Sequence, residues 1–189
     1  MKKYEVEIEG ITPLVWNRLK KEILDIHKKL KKDELEENEL NNWKMKAEIK
    51  NGNVIIPPEW ILSCLVNAAK ETRIVPHFAT TKSQTYTKYL SNIRISPGKD
   101  IVAGKSDELK RKDAMLSSQG KSKMGGKVLR CHPILEDWSA KFVLIDTVER
   151  MRKDELNILF DWGGQAVGIG DQRIFNFGRF DVKSIKEVN

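Results

Sequence analysis

An α+β fold is what the sequence predicts, laid out as strand, helix, strand, strand, helix, strand, and three observations predict it. Residues Lys3 to Glu9 alternate, with Tyr4, Val6 and Ile8 on one face and Glu5, Glu7 and Glu9 on the other, which is the period of a half-buried strand. Two segments, 58–72 and 153–162, repeat their apolar residues at helical spacing. Short runs rich in β-branched and aromatic residues, bounded by Pro, Gly and Asp, read as the remaining strands. The chain has 189 residues, and with domains of about 150 residues common, one domain over 1–189 is expected.

The elements follow in order. Pro13 removes a ladder donor just after the first strand. From 19 to 50 the chain is rich in lysine and glutamate, with Ile23, Ile26, Leu30, Leu35, Leu40 and Trp43 at helical spacing. This reads as one or two exposed helices inserted after the first strand, or as a mobile arm. Asn51-Gly52 is a turn signal, Val54 to Ile56 a short extended piece, and Pro57-Pro58 a stop followed by a helix start. The helix to Thr72 places Ile61, Leu65, Ala68 and Ala69 on one face. Residues 73–91 are irregular and polar, and Asn92 to Ser96 is a strand closed by Pro97-Gly98. Residues 104–126 read as the least ordered part, with Ser117 to Gly126 a flexible basic connector. Strands at 127–135 and 139–147 flank a turn at Asp137; a helix with Leu156, Leu159 and Phe160 follows; the last strand runs from about Arg179 to Ile185. That order is the ferredoxin-like arrangement, with a helical insertion at 19–50 and a basic excursion at 100–130 before the third strand.

Several classes are excluded. No apolar run approaches the roughly 20 residues of a membrane helix. The start, MKKYEVEIEG, turns from basic to alternating glutamates and lacks the form of a secretory signal. Two cysteines, Cys64 and Cys131, make neither a zinc site nor a disulfide framework. A reduced, cytoplasmic setting is expected, with no metal and no cofactor.

The charge is uneven. Between Arg73 and Arg130 stand thirteen Lys and Arg against four acids, Asp100, Asp107, Glu108 and Asp113, a net +9. The whole chain carries +7, which leaves −2 for the rest. A basic middle on a near-neutral body is the footprint of a polyanion-binding surface, with a solvated lysine-rich loop as the plainer alternative.

The segment Gly163 to Phe180 is the most informative. It holds glycines at 163, 164, 168, 170 and 178, the cations Arg173 and Arg179, and Phe175, Phe177 and Phe180 between and beside them. Glycines let backbone approach a partner and expose amide donors, and the guanidinium fork suits phosphate. A dinucleotide fingerprint does not fit, because these glycines follow a helix and precede a strand. A tight helix-to-strand connection needing positive φ explains two or three of the glycines but not the arginines.

The loop from Gly168 through Phe177-Gly-Arg-Phe-Asp-Val182 resembles the carboxy-terminal glycine-rich loop of the repeat-associated mysterious proteins, the RAMP superfamily of CRISPR systems. A second likeness lies in Val54 to Lys70, which is similar to the helix start of the backbone subunits that polymerise along CRISPR RNA. A solitary member of this type, as some phages and prophages encode, is also close in length and layout. The resemblance implies an RNA-recognition-motif-type core gripping a single strand through its backbone, and a thumb-like excursion over about 100–130. It also implies single-stranded RNA (CRISPR RNA among the candidates) and other RAMP-type subunits, or a second copy of the chain, as partners.

Binding a single strand without sequence preference needs a basic groove and stacking groups. The candidates for phosphate are Arg18, Lys82, Lys88, Lys121, Lys123, Lys127 and Arg130, with Tyr86 and Tyr89 for bases. Gly168 and Gly170 form the loop, and Arg173 and Arg179 flank it. Related proteins cut RNA with an aspartate after the first strand or a histidine near the amino terminus. Asp25, Asp33 and His27 occupy the matching region without visible partners, so no active site is assigned. The leading expectation is a non-catalytic RNA-binding protein, serving in a CRISPR effector or as a phage-type copy that joins or inhibits one. A ribonuclease on the same fold and a protein-assembly module are the alternatives.

Overall fold

The computed structural model describes residues 1–17, 30–72, 90–117 and 127–188. The strands are β1 (Lys2–Gly10), β2 (Leu14–Val15), β3 (Glu48–Lys50), β4 (Asn53–Ile56), β5 (Ile93–Ile95), β6 (Ile101–Lys105), β7 (Lys110–Ser117), β8 (Lys127–Leu135), β9 (Ser139–Asp146) and β10 (Phe180–Val188). The α-helices are α1 (Lys32–Asn42), α2 (Pro58–Thr72) and α3 (Lys153–Trp162). The fold is α+β with three antiparallel sheets, of orders β10-β1-β9-β5, β2-β8-β7 and β3-β4-β6.

The first sheet is the spine. β1 pairs with β10 on one side and β9 on the other, and β9 pairs with β5, all antiparallel. The alternation of β1 is realised: Tyr4, Val6 and Ile8 are buried, while Glu7 and Glu9 face out. α2 and α3 cover the buried face. Pro58 opens α2 at a position where its missing N–H costs nothing, and Ile61, Cys64, Leu65, Ala68 and Ala69 go into the core. Leu156, Leu159 and Phe160 do the same for α3. The buried Asp146 carboxylate accepts the amides of Val148 and Met151 and so shapes the turn from β9 into α3.

The outer face of this sheet is charged rather than aromatic. Lys141 on β9 pairs with Glu5 at 3.0 Å, and Lys183 on β10 pairs with Glu9. Among the described residues of the sheet, Tyr4, Phe142 and Phe180 carry the aromatic rings, and all three are buried. A nucleic acid meeting this protein therefore finds no stacking platform on the sheet itself.

Two expectations change in detail. Residues 18–29 lie outside the described ones; of the rest of the 19–50 insertion, 32–42 is α1, Trp43–Lys46 a 3-10 turn, and Glu48–Lys50 a strand. Asn51 and Gly52, with φ of 50° and 73°, join β3 to β4 as a tight two-residue hairpin. In the basic excursion, 101–105 pairs with β4 and 110–117 with β8, so much of what read as connector is sheet. Lysines on a sheet edge are compatible with a strand because ladder bonds and edge placement override propensity.

α1 is fastened to β8 by a buried charge cluster. Glu39 accepts from Lys46 Nζ at 2.5 Å, Arg130 Nη1 at 2.9 Å and the Cys131 amide at 2.9 Å. Burial pushes the Glu39 carboxyl up, but the Cys131 amide, Lys46 and Arg130 outweigh it and hold the pKa below its ordinary value. Beside the cluster, His132 is fully buried with neither ring nitrogen hydrogen-bonded. Burial first, then Lys46, Lys112 and Arg130 against the opposing Glu39, push its pKa down to about 4. The unfolded chain thus takes up this proton near its ordinary pKa of about 6.5, before the folded one does. Stability is full above that value and is lost as pH falls toward 4, by about 3 kcal/mol. Urea midpoints at pH 7 and 4.5 should differ strongly in the natural protein and much less in His132→Leu.

Candidate nucleic-acid interface

The glycine-rich segment leaves α3 through a single π-turn, Gly163–Val167, and returns to the sheet at β10. Between these ends it is stitched to the segment that follows β1. The Asp171 amide donates to Val15 O at 3.0 Å, the Gly178 amide to Pro13 O at 2.9 Å, and the Asn17 amide to the Asp171 carboxylate at 2.6 Å. Arg179 O accepts the amides of Ile11 and Thr12, while the Arg179 amide donates to the Thr12 hydroxyl. The break that Pro13 makes in β1 is what leaves these carbonyls and amides free to hold the loop.

Gly168, Gly170 and Gly178 all adopt positive φ, of 74°, 81° and 69°. At Gly170 a Cβ would press on Leu14 Cδ1 at 2.7 Å and Val15 O at 3.0 Å; at Gly178 it would collide with the Ile169 carbonyl. The amides of Gly168, Ile169, Asp171 and Gly178 are all used within the fold. The glycines therefore serve close packing, and what the loop offers outward is its side chains. Gly178→Ala is expected to lower stability by about 2 kcal/mol or more, combining a left-handed backbone with the clash, measurable as a reduced denaturant midpoint.

Arg173 and Arg179 face one cleft of about 290 Å³, shared with Asn67 and Glu71 of α2 and with Ile174. Arg179 Nη2 reaches Arg173 O and Asn176 Oδ1, each at 3.5 Å, and Nη1 is buried with no hydrogen-bond partner among the described residues. Both cations act on the same buried thiol. Burial pushes Cys64 up to about 12, and Arg173 and Arg179 pull against that. Cys64 is therefore a packed thiol that donates to Gly163 O, not a nucleophile. Glu71 tempers the charge of the cleft and accepts the Trp162 indole N–H at 2.9 Å.

The three phenylalanines separate. Phe180 is core, edge-on to Trp138. Phe177 is half-buried under Lys112 of β7, whose Nζ lies 3.6 Å from its ring centroid. Desolvation there holds the Lys112 pKa below its ordinary value. Phe175 is exposed. Sequence reasoning counted Lys112 only as charge, and nothing in Lys110-Arg-Lys-Asp113 distinguishes it from its neighbours.

Of the other candidates, Arg18, Lys82, Tyr86, Lys88, Tyr89, Lys121 and Lys123 lie outside the described residues, as do Asp25 and His27. Asp33 is on α1 and Lys127 opens β8, opposite Ser117. Arg130 is on β8 and its guanidinium is engaged with Glu39. The structure thus brings Gly168, Gly170, Arg173 and Arg179 together and leaves Arg130 in the α1 cluster. No helix among the described residues is long and apolar enough to cross a membrane.

No family model matches the chain, and no curated protein matches it. Among solved structures, it is similar to a chain in the cryo-EM structure of the type III-B Cmr-beta complex bound to cognate target RNA, with a TM-score of 0.57 and 12% identity. The match spans 100% of this chain and 61% of that one, so the protein covers about three fifths of its neighbour's length. At that identity the likeness is one of fold, an α+β scaffold shared with a component of an RNA-bound CRISPR complex.

Proposed function

We propose that the protein is a non-catalytic, single-stranded RNA-binding protein of RAMP type. Its core is then the ferredoxin-like unit β1-α2-β5-β9-α3-β10, whose strand order β10-β1-β9-β5 fits that arrangement. The observation that carries the reading is the cleft in which Arg173 and Arg179 converge, with one guanidinium nitrogen unpartnered. Two forked cations on a pinned loop suit a phosphodiester backbone. Gly168 and Gly170 hold that loop close to β2. Lys82, Lys88, Lys121, Lys123, Lys127 and Arg18 extend the basic track, Tyr86 contributes stacking, and the 100–130 excursion acts as a thumb beside it. In this reading the chain works in the cytoplasm within a CRISPR effector, or as a phage-type copy that joins or inhibits one.

Fluorescence anisotropy with single-stranded RNA, single-stranded DNA and duplex DNA at two salt concentrations tests this. Salt-sensitive preference for single-stranded RNA is expected. Absence of binding to all three would reject it and turn attention to acidic protein partners.

A further inference from the structure

The turn Arg173–Phe175 stands out from the rest of the loop. Its flanking residues Gln172 and Asn176 both adopt left-handed φ, of 58° and 63°. The turn is closed by Phe175 N to Gln172 O at 2.9 Å and Asn176 N to Arg173 O at 3.0 Å. Its base is the network that ties Asp171 and Gly178 to the Pro13–Val15 segment. A strained but firmly held turn thus carries two apolar side chains outward: Ile174 is 86% exposed and Phe175 67%. Ile174 lines the same cleft as Arg173 and Arg179.

We propose that this turn is a base-holding tip, in which Phe175 stacks on one unpaired nucleobase while Arg173 and Arg179 hold the adjoining phosphates. The proposal rests on the RNA-binding reading above and adds a residue to it, together with the part of the strand that residue takes. Two adjacent exposed apolar side chains on a rigid turn call for an occupant. A protein partner is the weaker choice, because a stable interface needs roughly 800 Å² from each side, far more than two side chains supply. A base fits the scale: one aromatic ring covers one base, and its neighbouring phosphates lie within reach of cations on the same turn. The charged outer face of the main sheet offers no competing ring. Ile174, beside Phe175, fits as an apolar wedge against the next base step.

The test uses anisotropy with two labelled strands of equal length, a mixed-sequence RNA and an abasic ribose-phosphate strand, against the natural protein, Phe175→Ala and Phe175→Trp. Phe175→Ala should bind the base-bearing strand roughly tenfold more weakly, with its salt dependence unchanged and its affinity for the abasic strand equal to that of the natural protein. Phe175→Trp should bind like the natural protein. Equal affinity of Phe175→Ala and the natural protein for the base-bearing strand would overturn the tip and leave the RNA-binding reading standing. An equal loss on the abasic strand would assign Phe175 a structural role and overturn it as well. Loss of self-association in Phe175→Ala, with RNA affinity intact, would assign the turn to protein contact. No binding of either strand by the natural protein would overturn both readings together.

Discussion

Glu39→Ala is expected to destabilise the fold by about 3–5 kcal/mol, the scale of breaking a buried ion pair by removing one partner. Lys46 is only 2% exposed, and without the carboxylate its ammonium keeps a single acceptor, Cys131 O at 2.8 Å. The Cys131 amide loses its acceptor in the same stroke. Lys46→Met should be similarly costly, because it leaves the anion buried with Arg130 alone for a cation. The double variant Glu39→Leu/Lys46→Met should lose much less than the sum, since neither uncompensated charge remains. Guanidinium denaturation of the four proteins measures this. Strict additivity would mean that the two groups do not interact.

Arg173→Ala combined with Arg179→Ala should weaken single-stranded RNA binding by one to two orders of magnitude, at about 1.5–3 kcal/mol for charge-assisted hydrogen bonds. The more diagnostic expectation is the salt slope. Each phosphate contact on a single strand contributes about 0.7 to it, so the double variant should lose about 1.4. Arg179→Lys keeps the charge but not the fork, and should retain the slope while losing part of the affinity. An unchanged slope in a folded double variant would remove the cleft from the binding surface.

Much of the spine was legible because it rests on periodicity. The alternation of Tyr4, Val6 and Ile8, the Pro57-Pro58 helix start and the apolar spacing of 153–162 are local signals, and each became the expected element. The loop was legible as a site by composition alone, but the work of its glycines was not. Gly170 and Gly178 contact Leu14, Val15 and Ile169, contacts that exist only after the chain has folded back on residues 11–17. Glu39 shows the limit from the other side. It sits among five other Glu and Asp residues between Asp33 and Glu48, and no local rule separates it from its solvated neighbours. Its burial depends on β8, some ninety residues later. Strands β6 and β7 were missed for a related reason, since lysine-rich edges carry a weak pattern that only their partners reveal.

The placement of β1 has a consequence for how the molecule forms. Both of its neighbours come late in the chain: β9 begins at Ser139 and β10 at Phe180, and Lys3 finds its partner in Val188. During synthesis the first strand therefore waits with both edges unpaired while more than a hundred residues are made. Such long-range closure slows folding. The two edges of β1 close one after the other, and the glycine loop, which enters directly into β10, is set in place only at the second closure. The RNA-binding edge is then a late product of folding, and the nascent chain carries an exposed alternating strand until it arrives.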